Sequence, residues 1–439
     1  MPDDHDQLSR IERAIERAVA NERLSRRSFL RRAGRGGLIA GSALSLPAIL
    51  AACGIGPATT PKPSSAAPSV SGSASVAPTP QPSAAGVLNF ANWPLYIDTD
   101  EEDETKHKTI TDYEAATNSK VSYTEDIEDN VSFFGKIQPV LAAGQDTGYD
   151  LIVVTDWMIT KMAGLGYLEE IDVAANVPNF GEHAGDKYQN PGYDPNNLHS
   201  VPWQSGITGI AYNPKLTKRE VTSWKDLFDP TFKGKIGMFT EMRDTMNLAL
   251  LGIGVKPLDA TIDDVKRAQQ KLLEQGPLVR DYYDNSYADA LANGDLAVTM
   301  AWSGDVFQLQ FDNPDLKFVV PEEGGILWVD NMAIPAHAKH PVDAQQMMNF
   351  VYQPEIAAQI TEYVNYICPV PEAKAIIEQH AKDASDEGDS ETSDYLNTVA
   401  ASPLVFPTED MLAKVYSYKA LSEDEESQWN DLFQEVVQG

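Results

Sequence analysis

Short apolar segments alternate with amphipathic ones from Val87 onward, and this alternation constrains the fold most strongly. VLNFANW (Val87–Trp93), VSYTED (Val121–Asp126) and YDLIVV (Tyr149–Val154) predict strands, whereas TITDYEAAT (Thr109–Thr117) and FFGKIQPVLAAG (Phe133–Gly144) predict helices. A βαβαβ order with short connections needs crossover helices. It therefore predicts an α/β fold with a mostly parallel sheet flanked by helices.

A second series of the same kind follows and predicts a second lobe. Its predicted strands are GITGIAYN (Gly206–Asn213), KIGMFT (Lys235–Thr240), GDLAVTMAW (Gly294–Trp302), KFVVP (Lys317–Pro321) and GGILWVDNMAIP (Gly324–Pro335). Its predicted helices are SWKDLFD (Ser223–Asp229), a segment through MNLALLGIG (Met246–Gly254), and DDVKRAQQKLLEQ (Asp263–Gln275). Two series of this kind predict two lobes with a cleft between them, and ligands of such sheets bind beyond the carboxyl ends of the strands.

Residues 1–52 have the layout of an export signal. A basic segment with paired arginines, Ser25–Arg31, precedes a weakly apolar one, Gly36–Ala52, and small residues lead to Cys53. The paired arginines resemble a twin-arginine signal, and Leu-Ala-Ala-Cys resembles a lipobox whose cysteine becomes lipidated after cleavage. The alternative is a transmembrane anchor, but the apolar segment has only 17 residues and contains Pro47.

Residues 53–85 are rich in Pro, Ser and Ala and almost free of charge, so we expect a disordered tether. The whole chain carries a formal net charge of −31, although residues 1–52 hold nine arginines against six acidic residues. The part after the signal is therefore strongly acidic. Such a charge repels nucleic acid and attracts cations.

Aromatic and acidic residues recur where the predicted strands end. Each set follows or lies in a different predicted strand: Trp93 and Tyr96; Thr155, Asp156 and Trp157; Glu241, Arg243 and Asp244; Trp302 and Asp305; Trp328 and Asp330. Trp328 and Asp330 are two residues apart in one strand, so they point the same way. Aromatic faces attract cations and carboxylates pair with ammonium groups, so this pattern indicates a site for a linear polyamine.

Other functions have weaker signals. The acids Glu241 and Asp244 could instead serve a carbohydrate-active enzyme, because paired carboxyls and aromatic platforms occur in such sites. A receptor for another small solute is a further alternative. No catalytic motif of the HExxH, GxSxG or CxxC type occurs, and His337 and His340 in HAKH favour a surface loop over a metal site. We therefore predict a protein without enzymatic activity, metal or cofactor.

Several stretches resemble the spermidine/putrescine-binding components of bacterial ABC importers. They are LNFANWPLYI, YDLIVVTDWMITKMAGLGYLEEID, VPWQSGITGIAYNP, VTSWKDLFDPTFKGKIGMF, AVTMAWSGD, EEGGILWVDNMAIPAHAK and VNYICPVPEA. The resemblance covers nearly all of residues 86–439. It implies a two-lobed periplasmic-binding-protein-like fold of type II, with a ligand cleft that closes between the lobes.

The resemblance also implies ligand contacts in both lobes. Carried over position by position, the ligand-binding residues are Trp93, Tyr96, Thr155, Trp157, Glu241, Asp244, Trp302, Trp328, Asp330, Tyr366 and, more weakly, Tyr418. Crossings between lobes are implied near Ser205–Gly206, Val329–Asp330 and Lys374. Lobe 1 then comprises residues 86–205 and about 330–374, and lobe 2 comprises residues 206–329 and about 375–439.

The same resemblance implies where and with what the protein works. We expect a monomer held by lipid on Cys53 at the outer face of the cytoplasmic membrane, in the periplasm or at the cell surface. Its expected partners are a polyamine and the permease subunits of an ABC transporter. Glu241 and Asp244 are interchanged in type relative to the family pattern, and the acidic segments at Asp100–Lys106 and Asp383–Tyr395 lack a clear counterpart there.

Overall fold

The computed structural model describes residues 84–100, 103 and 105–438. The predicted signal segment, Cys53 and the tether up to residue 83 lie outside the described residues. Within the described part, no helix combines the length and the apolar character needed to cross a membrane.

Strands in the described part of the chain join into one mixed sheet. They are β1 (Val87–Ala91), β2 (Lys120–Thr124), β3 (Leu151–Thr155), β4 (Ser200–Tyr212), β5 (Ile236–Phe239), β6 (Val279–Tyr283), β7 (Val298–Trp302), β8 (Lys317–Val319), β9 (Gly325–Ala333) and β10 (Val415–Tyr416). Their order is β2-β1-β3-β9-β4-β7-β5-β6, with β8 beside β4 and β10 beside β9.

Helices cover this sheet. They are α1 (Lys108–Thr117), α2 (Asn130–Ala142), α3 (Asp156–Gly164), α4 (Val173–Asn176), α5 (Pro178–His183), α6 (Pro214–Thr217), α7 (Met242–Gly252), α8 (Ile262–Gln275), α9 (Tyr287–Ala292), α10 (Ser303–Asp312), α11 (Pro341–Val351), α12 (Pro354–Val364), α13 (Ala373–Asp386), α14 (Ser390–Ala401), α15 (Glu409–Leu412) and α16 (Glu423–Gln438). Short 3-10 helices lie at Asp186–Tyr188, Pro195–Asn197, Trp224–Phe228, Pro230–Phe232, Pro257–Asp259 and Gly276–Leu278. The amphipathic segments predicted as helices are thus helical, with SWKDLFD forming a 3-10 turn.

Strands β4 and β9 connect two hydrophobic cores and divide the molecule into two lobes. Val201 near the start of β4 packs in the first-lobe core with Leu88 and Val153, whereas Ile210 near its end packs in the second-lobe core with Ile236. Strand β9 passes between the same two cores in the opposite direction, with Ile326 in the second and Met332 in the first. Both crossings therefore run through the sheet.

The pairing direction in this sheet changes between its edges and its centre. Strands β1, β2 and β3 pair in parallel, as do β5, β6 and β7, in agreement with the prediction for each lobe. Strands β4 and β9, in contrast, are antiparallel to each other and to their neighbours β7 and β3. The reason is topological, because two crossings that carry the chain in opposite directions must be antiparallel where they meet.

The predicted boundary near Lys374 is wrong. Helices α13 and α14 begin where the second lobe was expected, yet Ile377 and Val399 pack in the first-lobe core. The chain enters the second-lobe core only with Tyr416 on β10 and Trp429 on α16. An amphipathic helix shows which of its faces is buried but not which core buries it, so the sequence pattern left this assignment undetermined.

Candidate functional site

A cleft of 2380 Å³ lies between the lobes and is lined by every residue that the resemblance assigns to the ligand. These residues are Trp93, Tyr96, Thr155, Trp157, Glu241, Asp244, Trp302, Trp328, Asp330, Tyr366 and Tyr418. They come from segments as far apart in sequence as Trp93 and Tyr418, and the sheet brings them together.

The floor of the cleft follows the register of the sheet. Thr155 on β3 pairs with Asp330 on β9, and Gly206 on β4 pairs with Trp328 on β9. Thr208 on β4 pairs in turn with Trp302 on β7. Paired residues share a face, and so do residues two apart in one strand, so these six positions form a single row across one face of the sheet.

At one end of the row, the Asp330 carboxylate is almost fully buried and accepts two hydrogen bonds. The Thr155 hydroxyl donates to its Oδ1 at 2.7 Å, and the Tyr96 hydroxyl donates to its Oδ2 at 3.0 Å. Asn130 holds Thr155 in place with its Nδ2 at 2.8 Å from the threonine hydroxyl. Burial raises the pKa of Asp330 to about 6 despite these hydrogen bonds, because removal from water penalises the ionised form.

A second buried acidic centre lies at the start of α7. The Asp244 carboxylate accepts from the Tyr418 hydroxyl at 2.6 Å, the Thr208 hydroxyl at 2.8 Å and the indole Nε1 of Trp302 at 2.9 Å. Glu241 caps the helix, because its Oε2 accepts from the Asp244 backbone N–H at 2.6 Å. Burial raises the pKa of both carboxyls, and the adjacent charge of Asp244 raises that of Glu241 further.

Aromatic rings pack against one another beside Asp330 in the cleft. The Trp328 ring lies 5.6 Å from the Tyr366 ring, centroid to centroid, and Tyr366 lies 5.6 Å from Tyr96. Gly206 makes room for Trp328, since a Cβ at that position would lie 2.3 Å from a ring carbon of the indole. Gly304 does the same for Tyr366, where a Cβ would lie 2.6 Å from the phenol ring.

Two further acids of the cleft region were not on the predicted list of ligand contacts. Asp305 lines the cleft and accepts from the hydroxyls of Tyr366 at 2.7 Å and Tyr287 at 2.9 Å. Asp156 is buried between Thr155 and Trp157, and burial raises its pKa to about 8, with the charge of Asp330 adding to the shift. Both residues follow the ends of predicted strands. That position is the sequence signal by which they could have been predicted as part of the site.

Trp93 and Trp157 differ in how they meet the cleft. Trp93 follows β1 and its indole N–H donates to the Val153 carbonyl at 3.0 Å, which fixes the ring against the sheet. Trp157, in contrast, already has a cation on one face, because the Arg243 guanidinium carbon lies 4.0 Å from its ring centroid. This contact crosses the cleft from α7 to α3.

The arrangement is better suited to binding than to acid–base catalysis. Asp244 is fixed by three donors and Glu241 by a backbone N–H, so neither carboxyl stands ready to exchange a proton with a substrate. Among the described residues, no group of three or more His, Cys, Asp or Glu side chains could hold a metal ion. His340 instead lies with its Nδ1 2.9 Å from Asp150.

The comparison with known proteins decides the family. Residues 108–387 match the family described as bacterial extracellular solute-binding proteins. The chain belongs to this family. Because that family consists of receptors rather than enzymes, the match supports the cleft as a binding site.

Several proteins that are similar to this solute-binding protein carry spermidine and putrescine in their names. It is 28% identical over 324 residues to the spermidine/putrescine-binding periplasmic protein of Escherichia coli, covering 73% of this chain and 89% of the relative. It is 33% identical over 249 residues to spermidine/putrescine-binding periplasmic protein 1 of Haemophilus influenzae, covering 56% and 68%. The spermidine/putrescine ABC transporter substrate-binding protein of Streptococcus pneumoniae matches with a TM-score of 0.66 and 25% identity, over 80% of this chain and 98% of that structure. The predicted two-lobed fold is confirmed by this likeness.

The glycine beneath Trp328 gives a testable prediction for the binding protein. In Gly206→Ala the new Cβ would overlap the indole, so the ring must move into the cleft or the strands must separate. We expect the free energy of unfolding to fall by about 2 kcal/mol, as for other overpacked sites, and the near-ultraviolet circular dichroism to change. Gly181→Ala on α5, where a Cβ meets nothing within 4 Å, is the control. Identical urea denaturation curves and spectra for the two variants would contradict this packing.

Proposed function

We propose that this solute-binding protein is a receptor for linear polyamines of the spermidine and putrescine class, which it delivers to an ABC permease. The observation that carries the proposal is the pair of buried acids, Asp330 and Asp244, in a cleft that is also lined by the rings of Trp302, Trp328 and Tyr366. The relatives that are described as spermidine/putrescine-binding proteins support the same ligand.

The donors around these two carboxylates explain how they would serve a cationic ligand. Asp330 and Asp244 accept from hydroxyls and an indole N–H, which are neutral, and so they keep their negative charge uncompensated. Ammonium groups at the two ends of a polyamine would supply the missing positive charge. The rings of Trp302, Trp328 and Tyr366 would cover the methylene groups between them and attract the cations to their faces.

Binding would shift the population of lobe orientations. Asp330 lies on the crossing strand, whereas Asp244 belongs to the second lobe, so a ligand that meets both is bound most tightly when the lobes are closed. The closed form is the one that we propose the permease recognises. A carbohydrate-active enzyme using Glu241 and Asp244 is disfavoured by their fixed hydrogen bonds, and a receptor for anions is disfavoured by the buried acids.

Export and membrane attachment belong to the same proposal. We propose that the chain is exported through the twin-arginine-like signal, is lipidated at Cys53, and acts as a monomer on the outer face of the cytoplasmic membrane. The Pro-, Ser- and Ala-rich composition of residues 53–85 suits a spacer between lipid and lobes.

A thermal-shift screen tests the ligand class directly. Putrescine, spermidine and spermine are each expected to raise the melting temperature, because a ligand that binds only the folded state stabilises it. Arginine, glucose and citrate serve as comparison solutes of other classes. If only these other solutes stabilise the protein, the proposal is wrong.

The role of Asp330 is tested by Asp330→Asn, which keeps the shape of the side chain and removes its charge. We expect spermidine to bind at least about tenfold more weakly, since a charge-assisted hydrogen bond contributes roughly 1.5–3 kcal/mol. Isothermal titration calorimetry measures the change. Asp263→Asn, whose side chain is 87% exposed on α8, should bind as the wild type does. Unchanged affinity in Asp330→Asn would exclude this carboxylate from the ligand.

The buried carboxyls also predict a pH dependence of binding. In the ligand-free protein the pKa of Asp330 is raised to about 6 and that of Asp156 to about 8, so these groups hold protons at pH 5. A cation favours the ionised forms, and binding must then release protons. Affinity should therefore rise from pH 5 to pH 8. Calorimetry in buffers of different ionisation enthalpy should detect proton release near pH 6, and a flat affinity profile would contradict the prediction.

A further inference from the structure

Arg243 occupies a place in the cleft that the sequence pattern assigns to the ligand. Its side chain is buried, and its guanidinium carbon lies 4.0 Å from the centroid of the Trp157 ring, which is buried as well. A cation–π contact is strongest where water is excluded. The aromatic face of Trp157 is thus already bound to a cation of the protein itself.

A chain of contacts across the cleft keeps Arg243 at this position. Its Nη2 donates to the Oε1 of Glu426 at 3.0 Å, and the Oε2 of Glu426 accepts from Lys161 at 3.0 Å. Trp157 and Lys161 are one turn apart on α3 in the first lobe, whereas Arg243 and Glu426 lie on α7 and α16 in the second. Arg243 is therefore held by contacts from both lobes.

This position limits how many cationic groups a ligand can place in the cleft. An ammonium cannot share the Trp157 face with the guanidinium, because like charges about 4 Å apart repel each other strongly in a site shielded from water. Asp156 lies next to Trp157, and Arg243 is one of the charges that act on it. Without Arg243, an open indole face would stand beside two acids, Asp156 and Glu426.

We propose that Arg243 is a specificity-determining residue, an internal cation that occupies the Trp157 face and excludes the additional ammonium group of a longer polyamine. This proposal rests on the proposed function, because it concerns which members of the polyamine class the cleft accepts. It predicts that the wild type discriminates against spermine relative to putrescine, and that removal of the guanidinium creates one more cation subsite.

The test compares dissociation constants of putrescine and spermine, measured by calorimetry, in Arg243→Met and the wild type. Methionine retains an unbranched side chain and removes the charge. We expect the putrescine-to-spermine ratio of dissociation constants to shift about tenfold in favour of spermine, whereas Arg243→Lys should retain the wild-type ratio because it keeps a cation on the ring. Circular dichroism and the melting temperature establish that each variant is folded, and Arg243→Gln replaces Arg243→Met if the latter is not.

A control must separate this effect from the general gain in negative charge, which also favours spermine. Lys161→Met removes one positive charge at the far end of the same chain of contacts but leaves Arg243 on Trp157. We expect its ratio to shift by less than about twofold. Adding Trp157→Leu to Arg243→Met should abolish most of the shift, because the new subsite would lose its aromatic face.

The outcomes distinguish this inference from the proposed function. If the wild type binds the polyamines and Arg243→Met has the same ratio as the wild type or as Lys161→Met, the role of Arg243 is wrong and the proposed function stands. Equal loss of affinity for both amines would show that Arg243 is a structural contact between the lobes and does not determine specificity. If the wild type binds neither amine, the proposed function fails and this inference fails with it.

Discussion

The antiparallel pairing of β4 with β9 is the constraint on which the rest of the structure depends. Its register sets Gly206 opposite Trp328 and Gln204 opposite Asp330. A slip of one residue in this pairing would place Trp328 and Asp330 on the opposite face from Gly206 and Thr208. The same two strands join the hydrophobic cores of both lobes. The connection between the lobes and the centre of the cleft floor therefore depend on the same strand pairing.

Among the residues that the structure describes, Asp330 and Asp244 form no salt bridge with a basic side chain. A buried carboxylate costs several kcal/mol unless it is paired or hydrogen-bonded, and here hydroxyl and indole donors reduce that cost without cancelling the charge. A lysine at these positions would stabilise the empty protein and remove the attraction for a cationic solute. Arg243 is placed differently, because it neutralises Glu426 and covers Trp157 rather than pairing with Asp330 or Asp244. The cleft thus separates the charges that hold the lobes together from those that would meet a ligand.

Periodicity and position at strand ends were sufficient to predict much of this molecule from its sequence. They identified the α/β class, the two lobes, the position of Trp302 at a strand end and the shared orientation of Trp328 and Asp330 on one strand. The antiparallel centre and the first-lobe packing of α13 and α14 were missed because both depend on contacts between distant segments. The position of Arg243 on Trp157 was missed for a related reason. Arg243 is close to Glu241 and Asp244 in sequence and would be expected to pair with them. Its guanidinium instead contacts Trp157 across the cleft.

Near the crossing, the chain also passes through a third segment, where the backbone N–H and C=O of Ser205 bond to Ile367 at 3.0 and 2.8 Å. Three adjacent, hydrogen-bonded segments make a pivot that bends as part of a sheet rather than as free loops. In the proposed closure of the lobes, residues at the pivot such as Asp330 would move little, whereas Asp244 would move with its whole lobe. The distance between the two carboxylates would then be a measure of the lobe angle. A proposed ligand that spanned them would set that angle by its own length, so polyamines of different length would present differently shaped closed receptors to the proposed permease.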